Sequence, residues 1–304
     1  MTNRSEVFKK LNATKKLPTP SKTALEVMRL CHSDTASLNE IAQIIQTDPS
    51  LSAELLKYAN SAFLATGIQV ASIQKATVKL GMKTVVNLAL CFSMISTNKK
   101  GQCQEFDYGN FWSTSLARAI AAKTIANFSK EFDPEELFIA ALLSHMGELA
   151  LATLYPYEYA AILTNQHSRE TRENLEKLQF GIESGELTTE LFLDWGLPVP
   201  YALAAGFHED LDNVELGAST TKRVAELLYL SSQIAQLCHG EKPSTQSIEA
   251  IEETANSFHV TKEDFSSVFD TIVARWQEWG KSFNIPTRSC PPYDEIKANI
   301  KKDE

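Results

Sequence analysis

Strong helix-start signals recur along the whole chain, and they constrain the fold more than any other feature. Ser37-x-x-Glu40 has the capping-box pattern, and Asp48-Pro49 places an N-cap residue before a first-turn proline. Apolar residues at helical spacing follow these signals, such as Leu51, Leu55 and Leu56 after Asp48-Pro49. No run of alternating β-branched residues stands out. The sequence therefore predicts an all-α fold.

Two long helices are expected in the middle of the chain. The Ala-rich stretch from Phe111 to Phe128 predicts one, after a polar linker at 97–102. Asp133-Pro134-Glu135-Glu136 predicts the start of the other, because acidic side chains are favourable at the positive end of the helix dipole. Its apolar continuation predicts a single helix to about Leu154.

Composition and charge bound the class of protein. The chain has 304 residues, 43% of them hydrophobic, and a net charge of −9 without a basic stripe. This argues against a nucleic-acid partner. Five cysteines form no CxxC pair, which is typical of reduced cytosolic thiols, and Cys103 in the linker region is expected to be exposed. No signal peptide and no uninterrupted apolar run of about 18 residues is evident. We therefore expect a cytoplasmic protein outside the membrane.

The stretch Leu142–Leu149 carries the most specific motif. It resembles the His-Asp-Ile/Leu-Gly-Lys segment of HD-type phosphohydrolases, in which the adjacent His and Asp bind a divalent metal. Aligning the glycines at Gly147 places Ser144 at the His position and His145 at the Asp position. A serine hydroxyl is a poor ligand for a transition metal. The resemblance implies the scaffold of an enzyme whose metal chemistry is gone.

A longer resemblance extends over roughly residues 12 to 240. In order and spacing, short phrases of this chain resemble the HDOD domain, a catalytically silent relative of the HD superfamily in bacterial signalling proteins. They include Leu17-Pro18-Thr19-Pro20, Asp48-Pro49-Ser50-Leu51, Ala59-Asn60-Ser61-Ala62-Phe63, Ile73-Gln74-Lys75-Ala76, Leu80-Gly81, Phe111-Trp112-Ser113-Thr114-Ser115, Gly181-Ile182-Glu183-Ser184-Gly185-Glu186, Trp195-Gly196-Leu197-Pro198 and Phe207-His208-Glu209. Asn60-Ser61 is expected to fix a turn by side-chain to backbone bonds, although a polar ligand site there is the alternative.

The resemblance also identifies the candidate site. A metal-binding relative would have His at Thr114, His-Asp at Ser144-His145, His at Ser184 and His-His at Phe207-His208. Only two imidazoles remain at these positions, so we expect no bound metal and no cofactor. His145 and His208 are interpreted as hydrogen-bonded core or pocket-rim residues, with a remnant ligand pair or small-molecule anchor as the alternative; Glu148 and Glu209 are near enough in sequence to complete a non-standard site. Trp112 is expected in the core, or else lining a pocket.

The resemblance implies an HDOD domain at 12–240 with two lobes. The first is expected at 17–97, and the second, HD-like lobe at 105–240. A C-terminal helical extension follows at 241–285, and 286–304 is expected to form a tail. Ile272, Trp276 and Trp279 give the extension an apolar face that should pack against one of the lobes.

Three functions remain open at this point. The first is a non-catalytic bacterial signalling module that binds a partner protein or a small nucleotide. The second is a cryptic metal-dependent phosphohydrolase acting on a nucleotide or cyclic dinucleotide. The third is a receptor that binds a nucleotide in the former substrate cavity. The first is preferred because the ligand positions are lost, although similarity of fold alone says little about function.

Overall fold

The computed structural model describes residues 4–31, 37–60, 69–164, 168–217 and 219–303. Within these ranges the regular structure is helical, and the predicted all-α fold is confirmed. A 3₁₀ turn lies at Val214–Leu216. The α-helices, in chain order, are α1 Arg4–Ala13, α2 Lys22–Cys31, α3 Leu38–Gln46, α4 Pro49–Ala59, α5 Ile73–Leu80, α6 Met82–Thr97, α7 Tyr108–Ser129, α8 Pro134–Leu143, α9 Met146–Leu154, α10 Pro156–Thr164, α11 Arg169–Phe180, α12 Ser184–Asp194, α13 Val199–Phe207, α14 Ser219–Cys238, α15 Thr245–Ser257, α16 Lys262–Phe283 and α17 Tyr293–Asp303.

The chain divides into two compact units. The smaller unit comprises Thr19–Lys99 and Glu278–Ile285. The larger unit comprises Met1–Pro18, Lys100–Gln277 and Pro286–Glu304. Segments outside the expected lobes therefore belong to these units, including the N-terminal helix α1 and most of the C-terminal extension.

The core of the smaller unit is built around α6, whose residues from Val85 to Ile95 are all buried. Helices α2, α4 and α5 pack against it. The last turns of α16 add aromatic contacts: Trp279 meets Tyr58 edge-on at 5.2 Å between ring centroids, and Phe283 stacks on Phe92 at 4.4 Å. These rings bind the C-terminal segment to the unit by apolar burial.

Local capping in the smaller unit follows the sequence signals. Ser37 and Glu40 form the predicted capping box, and the Asp48 side chain accepts a hydrogen bond from the Leu51 amide at 3.0 Å. Gly81 ends α5 with a φ of +81°, a conformation that favours glycine. Asn60 exchanges two 2.8 Å hydrogen bonds with the Val70 backbone, as the turn interpretation predicted; Ser61 lies outside the described residues.

In the larger unit, α7 is the central helix and packs against α8 and α14. Helix α12 packs against α9 and α13, and α1 packs on α12. The pairing of α1 includes a hydrogen-bonded ion pair of 3.1 Å between Arg4 Nε and Glu190 Oε1. These helices form the framework that carries every candidate site residue.

The predicted helix from Pro134 to Leu154 is wrong in one respect. It is interrupted at Ser144 and His145, which separate α8 from α9. Ser144 caps α8 and donates its hydroxyl to the Ala141 carbonyl at 3.0 Å, while His145 has a φ of −114°, outside the helical region. At this break, the Ser144 side chain contacts Arg118 and the His145 side chain contacts Glu209.

Apolar length alone would allow Pro134–Leu154 to cross a membrane, and the same holds for the bent pair α5 and α6. However, 78% of the most apolar window in Pro134–Leu154 is buried inside the protein. This burial is characteristic of a core helix pair.

The C-terminal segments are packed. Trp276 is fully buried and donates its indole N–H to the Ser113 carbonyl at 2.9 Å. The stretch 286–304, assigned to a tail from the sequence, contains α17, whose Tyr293 is 1% exposed and donates to Glu252 at 3.0 Å. Cys103, expected to be exposed, is buried instead, and this burial raises the pKa of its thiol.

Candidate functional site

The matched positions lie on, or at the ends of, five helices of the larger unit. Thr114 is on α7, Ser144 and His145 lie between α8 and α9, and Ser184 begins α12. Phe207 ends α13, and His208 caps it. The fold brings part of this set together: Ser144, His145, Ser184 and His208 line one small cavity of about 20 Å³. That space can hold about one water molecule, so the region is nearly filled by protein.

Glycines allow these helices to approach closely. A methyl group on Gly147 of α9 would lie 1.9 Å from the Ser184 carbonyl oxygen at the start of α12. On the other side, a methyl on Gly185 of α12 would lie 2.3 Å from the Gly206 carbonyl oxygen of α13. Neither position can carry a side chain at these distances. Backbone contact therefore sets the spacing of the candidate site.

Arg118 occupies the centre of the site. It lies one helical turn after Thr114 on α7, so both side chains project from the same face. Its guanidinium donates to the Ser144 hydroxyl at 3.4 Å and to His145 Nδ1. Arg118 is buried, and burial lowers its pKa, while Glu148 and Glu209 oppose that shift. Arg118 was not predicted as a site residue, because a lone arginine in an Ala-rich helix belongs to no recognisable motif.

His145 connects the arginine to a carboxylate. Arginine has no acceptor, so His145 Nδ1 must accept the hydrogen bond from Arg118. The remaining ring nitrogen, Nε2, then carries the proton and donates to Glu209 Oε1 at 3.0 Å. Burial favours a raised pKa for Glu209, but the hydrogen bond from His145 and the charge of Arg169 outweigh it and hold the pKa of this carboxyl well below its usual range. The result is a chain from Arg118 through His145 to Glu209.

His208 is buried beside this chain. Its ring centroid is 5.2 Å from that of His145. His208 Nδ1 donates to the Ala205 carbonyl at 2.9 Å, and Nε2 lies 3.3 Å from the Ser232 hydroxyl. Burial lowers the pKa of His208 to about 3. His208 is thus a neutral, hydrogen-bonded core histidine at neutral pH.

The other matched positions have local roles. Thr114 donates to the Asn110 carbonyl at 2.9 Å and lies 3.2 Å from His239 Nε2. Ser184 is held by Glu176, which accepts from its amide at 2.7 Å. Trp112 is 1% exposed, packs edge-on against Phe111 and does not line the described cavities of this region. Phe207 is also buried in apolar packing.

Several ion pairs line the same small cavity. Arg172 pairs with Glu148 at 3.0 Å, and Arg169 pairs with Glu173 at 2.7 Å and Glu209 at 3.3 Å. The Coulomb attraction of Glu148 raises the pKa of Arg172, so this arginine stays charged. These arginines are engaged by carboxylates of the protein itself and are not poised to hold a free anion.

Glu176 is the fully buried acid of the region. It accepts hydrogen bonds from the Ser184 amide and from the Tyr159 hydroxyl at 3.2 Å. Burial raises its pKa to about 7, although the bonds from Ser184 and the charge of Arg172 oppose the shift. Glu176 therefore links the start of α12 to α10 and α11.

Four of the six residues at the positions of the metal ligands do not fit a metal. Thr114 and Ser184 are engaged by neighbouring groups, Ser144 by Arg118, and Phe207 has no ligand atom. Among the described residues the two remaining imidazoles lie close to a carboxylate: the ligand atoms of His145, His208 and Glu209 are all within 4.8 Å of one another. Three protein ligands suit a catalytic zinc site. However, Arg118 and Arg169 border this trio and would repel a divalent cation.

A larger cavity of about 670 Å³ opens next to the trio. Its wall includes Thr114, Arg118 and His145 on the inner side. Phe106, Phe111 and Tyr229 add aromatic surface. The cavity has the size of a small-molecule site.

Comparison with known proteins identifies the class. The HDOD domain profile matches residues 17–211. An uncharacterised protein of Treponema pallidum is 22% identical over 229 residues, which is 75% of this chain and 43% of that protein. The chain thus spans less than half the length of this curated relative.

Solved structures agree with the profile. The MmoQ response regulator of Methylococcus capsulatus is similar to this chain at 33% identity, with 84% of this chain and 98% of that chain covered and a TM-score of 0.53. An HDOD domain protein of unknown function from Geobacter sulfurreducens is 19% identical, with 98% and 97% covered and a TM-score of 0.70. The second likeness shows the fold alone. With the profile matching more than half of its length, the chain belongs to the HDOD family.

Proposed function

We propose that this protein is a non-catalytic regulatory module. Its larger unit, which carries the candidate site, recognises a partner protein and transmits a signal through that interaction. The observation that carries the proposal is the contact of Arg118 with Ser144 and His145, the two positions that correspond to the metal-binding His-Asp pair. A cationic side chain engages both groups, and four of the six matched positions carry no imidazole, thiolate or carboxylate, so hydrolytic metal chemistry lacks its matched set of ligands. The similarity to the MmoQ response regulator supports a regulatory role.

The charge of the large cavity supports a cationic contact group on the partner. Its lining has more carboxylates than guanidinium groups: Glu105, Asp107, Glu148, Glu209 and Glu241 against Arg118, Arg169 and Arg172. A nucleotide phosphate would face this acidic excess, whereas a lysine or arginine side chain would be attracted to it. We therefore prefer a protein partner with basic side chains to a small nucleotide, which remains the competing proposal.

Binding measurements on the full chain separate these possibilities. A lysine-rich peptide and spermidine represent the cationic ligands, and cyclic di-GMP, ppGpp and cyclic AMP represent the nucleotides. Thermal shift and titration calorimetry should detect the cations, with binding weakened by Glu105→Gln together with Asp107→Asn. The matched control is Glu249→Gln with Glu253→Gln on α15, outside the cavity lining. Saturable binding of a nucleotide without binding of either cation would contradict the charge argument.

Ser144→Ala tests whether the small inner cavity takes part. If this cavity takes no part in binding, Ser144→Ala should lower the free energy of unfolding by about 1 kcal/mol, because one hydrogen bond is lost. Ligand affinity should then be unchanged. A large change in affinity with the fold intact would make the inner cavity part of the binding site.

One observation favours a second candidate, a cryptic phosphohydrolase. His145, His208 and Glu209 are close enough to hold a metal if their environment changed. Assaying the full chain on bis(p-nitrophenyl) phosphate with Mn²⁺, Fe²⁺ or Zn²⁺, beside His145→Ala, decides between the two. We expect equal background rates, and hydrolysis that depends on His145 would reject the non-catalytic proposal.

A further inference from the structure

We propose that the Arg118 guanidinium is a built-in cation that takes the structural place of the metal ion, and that removing it creates a divalent-metal site at His145, His208 and Glu209. The inference deepens the proposed function, because it states how a site without metal is held together. It assigns Arg118 a positioning role and the trio a latent ligand role.

The position of Arg118 supports this proposal. Arg118 lies one turn from Thr114 on α7, and it contacts Ser144 and His145 at the break between α8 and α9. In a metal-bound relative, one ion would attract groups from these same helices. Here one guanidinium makes those contacts, with planar donors that reach two acceptors at once.

The negative charge of Glu209 also supports this role for Arg118. Glu209 is a part-buried carboxylate whose side chain is 31% exposed, and a charge that loses part of its hydration requires compensation. His145 is neutral when Nδ1 accepts from Arg118 and Nε2 donates to Glu209. The imidazole therefore connects the positive guanidinium to the negative carboxylate. A metal would compensate Glu209 directly, and Arg118 does so through one histidine.

The trio of potential ligands remains when Arg118 is removed. His145 Nδ1 would lose the guanidinium donor and keep the Ser144 hydroxyl at 3.0 Å as a neighbour. Arg169 would still pair with Glu209. The ligand atoms of the trio stay within 4.8 Å of one another. A modest closure of these atoms would bring two imidazoles and a carboxylate to the distances of a three-ligand zinc site. Loss of the guanidinium removes the positive charge that contacts His145.

Metal rescue of Arg118→Met in the full chain tests this. Methionine keeps an unbranched side chain without charge. Arg223→Met is the matched control, because Arg223 also pairs with carboxylates in the larger unit, at Glu131 and Glu226. Melting temperature is measured with and without Zn²⁺ or Mn²⁺, and bound metal is counted after dialysis.

We expect Arg118→Met to melt lower than the wild type and to regain much of the loss with one Zn²⁺ per chain. The gain should vanish in the double variant Arg118→Met/His145→Ala. The wild type and Arg223→Met should take up no stoichiometric metal at the same concentrations. Equal zinc binding by the wild type, or a folded Arg118→Met that binds none, would overturn the proposal.

A measurement on the wild type covers the case in which Arg118→Met does not fold. ¹⁵N NMR of histidine-labelled protein reports the tautomer of His145 near pH 7.5. The proposal requires a neutral ring with the proton on Nε2, and Arg118→Lys, which keeps a cationic donor, should preserve it. A proton on Nδ1 of His145 in the wild type would contradict the proposed contact. Hydrolytic activity of the wild type would instead reject the proposed function, so the two failures are distinguishable.

Discussion

Gly147→Ala should loosen the packing that assembles the candidate site. The new methyl carbon would lie 1.9 Å from the Ser184 carbonyl oxygen and 2.7 Å from its carbonyl carbon. Contacts of this kind are rarely shorter than 3.0 Å, so α9 and α12 must separate by about 1 Å. Overpacking of this kind costs roughly 1–3 kcal/mol. The 2.9 Å bond from the Gly147 amide to the Thr188 hydroxyl would also be strained, at about 1 kcal/mol.

Against these costs, alanine gains up to about 1 kcal/mol over glycine in a helix. The expected net effect is a loss of about 1–3 kcal/mol in the free energy of unfolding, measured by urea denaturation with circular dichroism. Gly109→Ala on α7 is the control, because its nearest neighbours are 3.4 Å away, an ordinary contact distance. That variant should be neutral or slightly stabilised. If Gly147→Ala is as stable as Gly109→Ala, the close approach of α9 and α12 does not set the geometry of the site.

Two further predictions concern other parts of the chain. Glu176 has a pKa of about 7 in the folded protein against an ordinary 4.5, so its contribution to stability is fully present below pH 4.5 and is lost as pH rises through 7. The free energy of unfolding of Glu176→Gln should therefore rise relative to that of the wild type between pH 5 and 8, by about 3 kcal/mol at the upper end. Parallel pH profiles of urea stability for the two proteins would show that Glu176 is not a buried titrating group. Asn60→Ala removes both hydrogen bonds to Val70 and should cost about 2 kcal/mol in urea unfolding; an unchanged stability would show that this turn does not depend on the amide.

The helices could be predicted because their signals are local. Capping at Ser37 and Asp48 depends on residues a few positions apart, and both caps form as the sequence indicates. The break at Ser144-His145 was missed for the opposite reason. The apolar residues on both sides continue at helical spacing, and the groups that hold His145 come from other helices, in Arg118 and Glu209.

The candidate site was predictable only as a set of positions. The resemblance identified Ser144, His145 and His208, and the structure brings these three together. It gave no indication of Arg118, because a buried arginine is recognised by its partners in space. Glu209 was noted as a neighbour in sequence, but its contact with His145 depends on the path of α13. Cys103 was misassigned because a polar linker does not reveal the aromatic residues that cover it, such as Phe106.

The most direct measurement of the account is the metal content of the wild-type protein, purified without chelators and analysed by inductively coupled plasma mass spectrometry. A site closed by Arg118 and the Arg169–Glu209 pair should contain no stoichiometric iron, manganese or zinc. One tightly held metal per chain that is lost in His145→Ala would contradict the account, because it would show that the trio of His145, His208 and Glu209 binds a metal despite the adjacent guanidinium groups.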